Sequence, residues 1–567
     1  MRLIVIAVLG FIAMQADAGP VPPAWRFQLA ADMVEAEHGM VTADEPQAAH
    51  IGAQVLTAGG NAVDAAVATI FALAVVLPEA GNIGGGGFAV IALHGGKQLA
   101  LDFRETAPLA ATLDMYLDRQ GRPTGKSLTG PLAAGVPGTV AGLWALHKRY
   151  GRLPWRDVLA PAIRLAADGF PVSQDFVDYI HRDRQRLSSF PASAKLFLGG
   201  ERPLEAGDHW RNPNLAATLK RISDQGPHDF YQGKTADLLV AEMHRGNGII
   251  DHEDLARYRP RWREPIHFTY HGYDIVTMPP PSSGGITLAL ILRMLDFHHW
   301  DQLPWHSPRS IQLAVEAMRR AFAVRNSLLA DPDQVAVPTE ELMSMPYARR
   351  WAKTIHTGRA TPSLKIHVDG GAGDGEGMHT THLSVADGEG NAVALTTTIN
   401  TNSSVTVTGA GFFLNNEMDD FAAKPGTPNV FGLVQGEANA IAPGKRPLSS
   451  MTPTVVLSPE GEVRLITGAS GGPMIITTVF QILTNVLDYD MTIGPAVRAP
   501  RFHHQHLPDT VFVEPDGLTR ATGNQLRAAG YSFETAPWIG RGASIERRGD
   551  HWFGAADPRI GGSAIGE

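Results

Sequence analysis

Apolar and polar positions follow two different periods along the chain, and the period indicates which parts are helical and which are strands. Residues 47–58 have a helical pattern that ends at Gly59-Gly60. A second helix is predicted over residues 62–77, with Asn61 as its cap. Because that helix is apolar nearly all round, we expect it to be buried.

A change to strand-like alternation occurs at residue 380. Residues 380–386 alternate, 387–390 form a turn and 391–398 are again β-prone, so together they predict a β-hairpin. Further predicted elements are strands at 89–93, 454–457 and 463–467 and a helix at 475–487.

The middle of the chain, residues 130–360, is predicted to consist mainly of helices joined by polar loops. The consecutive prolines and glycines of residues 278–285 are predicted to prevent a helix there.

The amino terminus has the pattern of a secretory signal peptide over residues 1–18. A positive Arg2 precedes an apolar run, and Ala16-Asp17-Ala18 supplies small residues for cleavage before Gly19. The run is too short to span a bilayer comfortably, so no stable membrane insertion is expected after cleavage. The sequence therefore predicts an exported protein, periplasmic or secreted, and an uncleaved anchor is the alternative.

The composition excludes several kinds of site and partner. Of 567 residues, 44% are apolar and 19% charged, as in globular proteins. The absence of cysteine excludes disulfides, thiolate metal sites and a cysteine nucleophile. The net charge of -9 argues against nucleic acid as a partner.

Thr380 is the candidate nucleophile. The preceding glycine-rich and acidic residues, 369–377, have too few apolar groups to be buried. A cut between His379 and Thr380 would give Thr380 a free α-amine with a pKa of roughly 7.7–8.0, able to take the proton of its own hydroxyl. The alternative is that Thr380 is an ordinary strand residue.

Other polar groups follow at places where a site can form. Thr396 to Thr398 should lie beside Thr380 on the returning strand, and Gly471-Gly472 precede a helix where backbone N–H groups can bind an anion. An acidic stretch at 415–421 and the hydroxyls of Ser449 and Ser450 complete the candidates.

In combination these motifs resemble the γ-glutamyltranspeptidases (glutathione hydrolases), which are N-terminal nucleophile hydrolases. The resemblance extends from about Ala43 to Arg559. It is carried by GGNAVDAA at 59–66, GGGGF at 84–88, LDFRETAP at 101–108, PGTVAG at 137–142, PPPSSGG at 279–285, TTHLSV at 380–385, NNEMDDF at 415–421, RPLSSM at 446–451, GASGG at 468–472, APRFHHQ at 499–505 and DPR at 557–559.

The resemblance implies an α+β fold, a four-layer αββα sandwich. It implies self-cleavage between His379 and Thr380, which gives a large fragment, 19–379, and a small catalytic fragment, 380–567, associated as one heterodimer. The implied substrates are glutathione or other γ-glutamyl compounds, with water, an amino acid or a dipeptide as acceptor. No cofactor and no metal are implied.

Residue roles also follow from the resemblance. Thr380 is implied as the nucleophile, Thr398 as its hydrogen-bonding partner, and the N–H groups of Gly471 and Gly472 as oxyanion donors. The substrate-binding groups implied are Arg104, Ser449 and Ser450 for the α-carboxylate and Asn400, Glu417 and Asp420 for the α-ammonium.

One residue and one short segment depart from the family pattern. The gating loop usually carries a tyrosine where this chain has Phe431, so a hydroxyl bond to Asn400 is lost. The segment after Asn400, residues 401–404, is Thr-Asn-Ser-Ser rather than a Phe-Gly-Ser or Phe-Gly-Thr type. Both changes affect the acceptor side and thus the balance between transfer and hydrolysis.

Three alternatives remain open. A cephalosporin or glutaryl acylase of the same superfamily would not need Asp420, because its substrate has no α-ammonium. A non-catalytic relative would not cut itself. A metal enzyme is suggested by the histidines at positions 298, 299, 503, 504 and 506, although adjacent histidines rarely face one ion.

Overall fold

The computed structural model describes residues 21–27, 33–366 and 380–567. The predicted signal peptide at 1–18, the glycine-rich stretch at 369–377 and His379 lie outside the described residues. Within the described ranges, no helix has both the length and the apolar character needed to cross a membrane.

Strands and helices alternate irregularly along the described chain. The strands are β1 (Val34–Ala36), β2 (Met40–Ala43), β3 (Gly86–Leu93), β4 (Lys97–Asp102), β5 (Phe170–Pro171), β6 (His209–Trp210), β7 (Arg261–Arg263), β8 (Ile266–Tyr270), β9 (Tyr273–Thr277), β10 (Thr380–Ala386), β11 (Ala392–Thr398), β12 (Thr454–Leu457), β13 (Val463–Thr467), β14 (Ala469–Ser470), β15 (Phe502–His503), β16 (Val511–Val513), β17 (Phe533–Thr535), β18 (Arg541–Arg548), β19 (His551–Ala556) and β20 (Ser563–Gly566). The α-helices are α1 (Pro46–Thr57), α2 (Ala62–Val76), α3 (Thr139–Tyr150), α4 (Trp155–Asp168), α5 (Gln174–Arg182), α6 (Arg184–Ser188), α7 (Pro191–Phe197), α8 (Pro213–Gln225), α9 (Pro227–Gln232), α10 (Lys234–Arg245), α11 (His252–Arg257), α12 (Gly284–Phe297), α13 (Pro308–Leu328), α14 (Thr339–Leu342), α15 (Met345–Ala352), α16 (Met474–Leu487), α17 (Ile493–Arg498) and α18 (Arg520–Ala528).

Two antiparallel sheets form the centre of the molecule. The first has the strand order β20-β2-β10-β11-β3-β4-β7, and the second has the order β1-β19-β18-β13-β12-β9-β8, with β14 also paired to β18. The sheets pack face to face, α1 and α2 cover the first, and α12, α16 and α17 cover the second. The α+β class and the αββα layers predicted from the sequence are confirmed.

The central hairpin, β10 and β11, packs against helices on one face and against the second sheet on the other. Leu383 and Val385 of β10 belong to the core that includes α1 and α2, whereas Ala392 and Ala394 of β11 belong to the core between the sheets. Successive strand residues point to opposite faces, so the large aliphatic residues meet helices and the alanines let the sheets approach closely.

Most of the predicted elements are confirmed with small shifts at their ends. The hairpin strands are β10 and β11, and the helix predicted at 475–487 is α16. Asn61 caps α2 through a capping box with Asp64, as expected, and every residue of that helix is buried.

Residues 130–360 are mainly helical, as predicted, but the strands among them were not predicted and one helix begins where none was expected. Strands β7, β8 and β9 lie in the region predicted to be mainly helical, where they form one edge of each sheet. The helix α12 begins at Gly284, inside the stretch predicted to prevent a helix. The last two glycines of that stretch occupy its first turn, where their N–H groups need no partner within the helix.

Candidate active site

Thr380 begins β10 directly opposite Thr398 of β11. The Oγ1 of Thr380 lies 3.5 Å from the Oγ1 of Thr398, which accepts a 2.8 Å hydrogen bond from the N–H of Asn400. Asn400 has a φ of 56°, so the chain turns sharply there. The antiparallel register therefore places two hydroxyls side by side at the end of the hairpin.

The structure brings most of the predicted site residues into one pocket, here called the charged pocket. Its walls include Arg104, Thr380, Thr398, Asn400, Glu417, Asp420, Phe431, Ser449, Ser450 and Gly472. Gly471 precedes Gly472 but is not part of the wall. The free space is about 20 Å³, because the charged groups pair with one another.

Arg104 is the centre of that pairing. Its side chain is fully buried, its Nη1 lies 2.8 Å from Glu417 Oε2, and its Nη2 pairs with Asp420. Its Nε donates to the carbonyl of Pro447 at 3.2 Å. Burial alone would lower the pKa of Arg104, but Glu417 and Asp420 raise it, so the guanidinium is always charged.

The pocket also contains acceptors that lack a donor. Oε1 of Glu417 and Oδ1 of Asn400 are buried and have no hydrogen-bond partner among the described residues. Burial raises the pKa of Glu417 well above its ordinary value, but Arg104 opposes the shift and a bound cation would oppose it further, which favours the ionised acceptor. Since buried acceptors are normally paired, a ligand with a cationic donor would satisfy this part of the pocket.

A second arginine, Arg325 of α13, was missed in the sequence. It is fully buried, donates to Ser450 Oγ at 3.1 Å and to Ser283 Oγ at 3.1 Å, and burial lowers its pKa to about 10. Ser449 Oγ accepts from the N–H of Met451. An arginine within the apolar pattern of a long helix was the signal that could have identified it.

Phe431 covers the glycines that follow β14. Gly471 and Gly472 have φ values of 131° and 54°, and their carbonyls accept from the first N–H groups of α16. A Cβ on Gly472 would lie 2.9 Å from the Phe431 ring. Gln505 holds the loop that carries Phe431, because its side-chain amide donates a 2.9 Å hydrogen bond to the Phe431 carbonyl.

The histidines of the region have structural partners. His382, two residues after Thr380, lies between Thr396 and Ser384, at 2.8 and 3.1 Å. Burial lowers its pKa to about 3, so it stays neutral. His503 pairs with Thr477 and Gln505. In the described part of the chain, no three His, Cys, Asp or Glu side chains are arranged to hold a metal ion.

Comparisons with known proteins agree along nearly the whole chain. The family model described as gamma-glutamyltranspeptidase matches residues 48–567. The chain is 43% identical to the glutathione hydrolase proenzyme of Escherichia coli (strain K12), over 98% of this chain and 97% of that protein. It is 45% identical to the glutathione hydrolase proenzyme of Pseudomonas aeruginosa, over 92% and 93% of the two chains.

Among solved structures, the chain is similar to the cephalosporin acylase from Bacillus halodurans. The TM-score is 0.83 with 28% identity, over 96% of this chain and 99% of that one.

Proposed function

The chain belongs to the gamma-glutamyltranspeptidase family, and from that premise we propose that it cleaves γ-glutamyl amides, glutathione among them, through an ester on Thr380. The glutamyl group then passes to water, an amino acid or a dipeptide. The observation that carries the proposal is the meeting of Thr380 with Arg104, Glu417 and Asp420 in one pocket.

The first proposed step is self-cleavage between His379 and Thr380. The Thr380 hydroxyl adds to the His379 carbonyl, the C–N bond breaks to leave an ester, and water hydrolyses that ester. The products are a large fragment, 19–379, and a small fragment, 380–567, whose new α-amine is the base of the later reaction.

In the second step the Thr380 hydroxyl attacks the γ-carbonyl of the substrate. The α-amine takes the hydroxyl proton and passes it to the nitrogen that leaves as the amide bond breaks. Water or an amine then attacks the ester and restores Thr380. Thr398 orients the nucleophile, and the N–H groups of Gly471 and Gly472 stabilise the oxyanion, an effect worth about a hundredfold or more in rate per donor.

The glutamyl head group binds by exchanging partners in the charged pocket. Its carboxylate takes the place of the protein carboxylates on Arg104, with Ser449 and Ser450 as further donors. Its ammonium donates to the side-chain oxygens of Asn400, Glu417 and Asp420, which then lack another donor. Two opposite charges on one ligand thus match two sets of opposite charges in the pocket. Phe431, which belongs to the gating loop, covers the occupied pocket.

A glutaryl acylase is the second candidate, supported by the similarity to the Bacillus halodurans acylase. A glutaryl group has no ammonium and would leave Glu417 Oε1 and Asn400 Oδ1 unsatisfied. Unpaired buried groups disfavour such a substrate strongly, so the pocket favours the glutamyl group.

One matched pair of substrates tests the proposal. The purified protein should release aniline from a γ-glutamyl anilide and far more slowly from the glutaryl anilide, which lacks only the ammonium. Added glycylglycine reports transfer if it raises the rate. Preferred cleavage of the glutaryl compound would indicate the acylase, and release from neither would contradict the proposal.

Self-cleavage has its own test on a denaturing gel. The protein should give two bands of about 40 and 20 kDa, and Thr380→Ala should give one uncut band. A wild-type protein that remains uncut after long incubation would indicate a non-catalytic relative.

A further inference from the structure

A larger cavity lies next to the charged pocket and shares Thr380, Phe431 and Pro473 with it. This side cavity has a volume of about 510 Å³ and is also lined by Glu79, Trp538 and Arg541. Because Thr380 belongs to both walls, a substrate with its glutamyl group in the charged pocket would extend its leaving group into the side cavity. The attacking acceptor must enter from the same side.

Arg541 is fixed at the wall of the side cavity by strand pairing. It begins β18 and lies opposite Ser470 of β14, directly before Gly471 and Gly472. Its guanidinium stacks on Trp538, with Cζ 4.1 Å from the ring centroid. An aromatic face attracts a cation placed over it, so Trp538 restricts the position of the guanidinium.

The polar part of Arg541 is incompletely paired. Its Nε is buried and has no hydrogen-bond partner among the described residues. A carboxylate is the ligand that matches a guanidinium in shape and charge, since it accepts two parallel N–H bonds. Trp538, Met474 and Phe512 add an apolar wall for the remainder of such a ligand.

Asp44 and acids of the wall attract Arg541 electrostatically, but among the described residues none of them lies within ion-pair distance of its guanidinium. Asp175 accepts from the N–H of Gly561 at 3.0 Å, and Asp178 accepts from Gln174 at 2.7 Å. Burial raises the pKa of Glu79 to about 8, and its Oε2 has no partner among the described residues. At neutral pH Glu79 therefore carries a proton and offers a donor rather than a repelling charge.

We propose that Arg541 binds the free carboxylate of the leaving group and of the acceptor in the side cavity. Amino acids and short peptides with an unblocked carboxyl end are then the preferred leaving groups and acceptors. This inference rests on the proposed function, because it needs the γ-glutamyl ester on Thr380.

Two donors that differ by one carboxylate test the role of Arg541. They are γ-glutamyl-4-nitroanilide and γ-glutamyl-3-carboxy-4-nitroanilide. In Arg541→Gln, kcat/KM for the carboxylated donor relative to the plain donor should fall on the order of tenfold to a hundredfold against the wild-type ratio, as expected for a charged hydrogen bond. The ratio cancels any general loss of activity.

Arg547→Gln is the matched control. Arg547 lies on the same strand and contacts the ring of Trp552, but it pairs with Glu462 and is not part of the side cavity. Its donor ratio should equal that of the wild type. A ratio in Arg541→Gln that also equals the wild-type value would overturn the proposal.

The wild-type protein supplies an independent test if Arg541→Gln does not fold or cut itself. Glycylglycine should have a KM as acceptor at least about tenfold below that of glycylglycine amide, which lacks the carboxylate. Equal KM values would overturn the proposal without any variant. Failure of the proposed function is distinguishable, because the wild type would then release neither anilide.

Discussion

At the scale of single residues, the site depends on positions where only one side chain fits. Arg104 must contact two carboxylates and a carbonyl while it is fully buried, which the planar fork of a guanidinium allows and an ammonium does not. Gly472 must leave room for Phe431 and adopt a left-handed φ. Neither position tolerates a merely similar residue.

Gly472→Ala should therefore lose most of the hydrolytic activity. The added Cβ would contact the Phe431 ring and disturb both the cover and the neighbouring N–H groups, beyond a backbone cost of roughly 1–2 kcal/mol. The rate of γ-glutamyl anilide release and the thermal midpoint measure the two effects.

Gly461→Ala separates the effect of backbone strain from the effect of a contact with Phe431. Gly461 also has a left-handed φ, of 86°, but no atom lies within 4 Å of an added Cβ. It should lose a comparable amount of stability and keep its activity. Equal activity in the two variants would refute the role of the contact between Gly472 and Phe431.

At the scale of elements, the hairpin and the loop around Phe431 are positioned differently. The hairpin register follows from local alternation, which pairs Thr380 with Thr398. The loop depends on distant side chains: Asp419 accepts from the N–H of Val430 at 2.9 Å and from Ser127 at 2.7 Å. This second arrangement cannot be derived from local patterns.

Asp419 should also make stability depend on pH. Burial raises its pKa to about 6 from an ordinary value of 3.8, so the folded protein takes up the proton at a higher pH than the unfolded chain. The ionised carboxylate therefore costs stability above about pH 6, a cost that disappears as the pH falls toward 4. The shift corresponds to about 3 kcal/mol.

Asp419→Asn isolates this effect because it is neutral at every pH. Its thermal midpoint should rise relative to that of the wild type as the pH increases from about 3 to about 7, a range that spans the two pKa values. Asp118→Asn is the control, since hydrogen bonds from Arg122 lower the pKa of the partly exposed Asp118, and this variant should show the opposite trend. A pH-independent difference between Asp419→Asn and wild type would contradict the assignment.

At the scale of the whole molecule, the two proposed fragments are interleaved in both sheets. In the first sheet, β2 of the large fragment lies between β20 and β10 of the small one, and β3 pairs with β11. In the second sheet, β19 pairs with β1 and β12 pairs with β9. Separation of the fragments would break these five strand pairings of the described residues and expose the shared core.

The cut protein should therefore remain one particle in native buffer. Size-exclusion chromatography with light scattering should give the mass of both fragments together, and the fragments should separate only in denaturant. Fragments that elute separately in native buffer would show that the interleaved sheets do not hold them.

Much of the fold could be predicted because its signals are local. The hairpin, β12, β13 and the capping of α2 follow from alternation and from Asn61, within a residue or two. Strands β8 and β9 were missed within a mainly helical region. Arg325 lies within the apolar pattern of α13, but that pattern does not show which groups a buried arginine contacts, so its place in the site was missed.

The sequence by itself determined the candidate nucleophile, the order of the motifs and, through them, the family. Only the tertiary structure decided which charges meet. Arg104 and Asp420 are 316 residues apart and come into contact because the strands that precede them, β4 and β11, lie in the same sheet. Arg541 lies beside the glycines at 471 and 472 only because β14 pairs with β18. Contacts of this kind depend on sheet register across the molecule, which no local pattern contains.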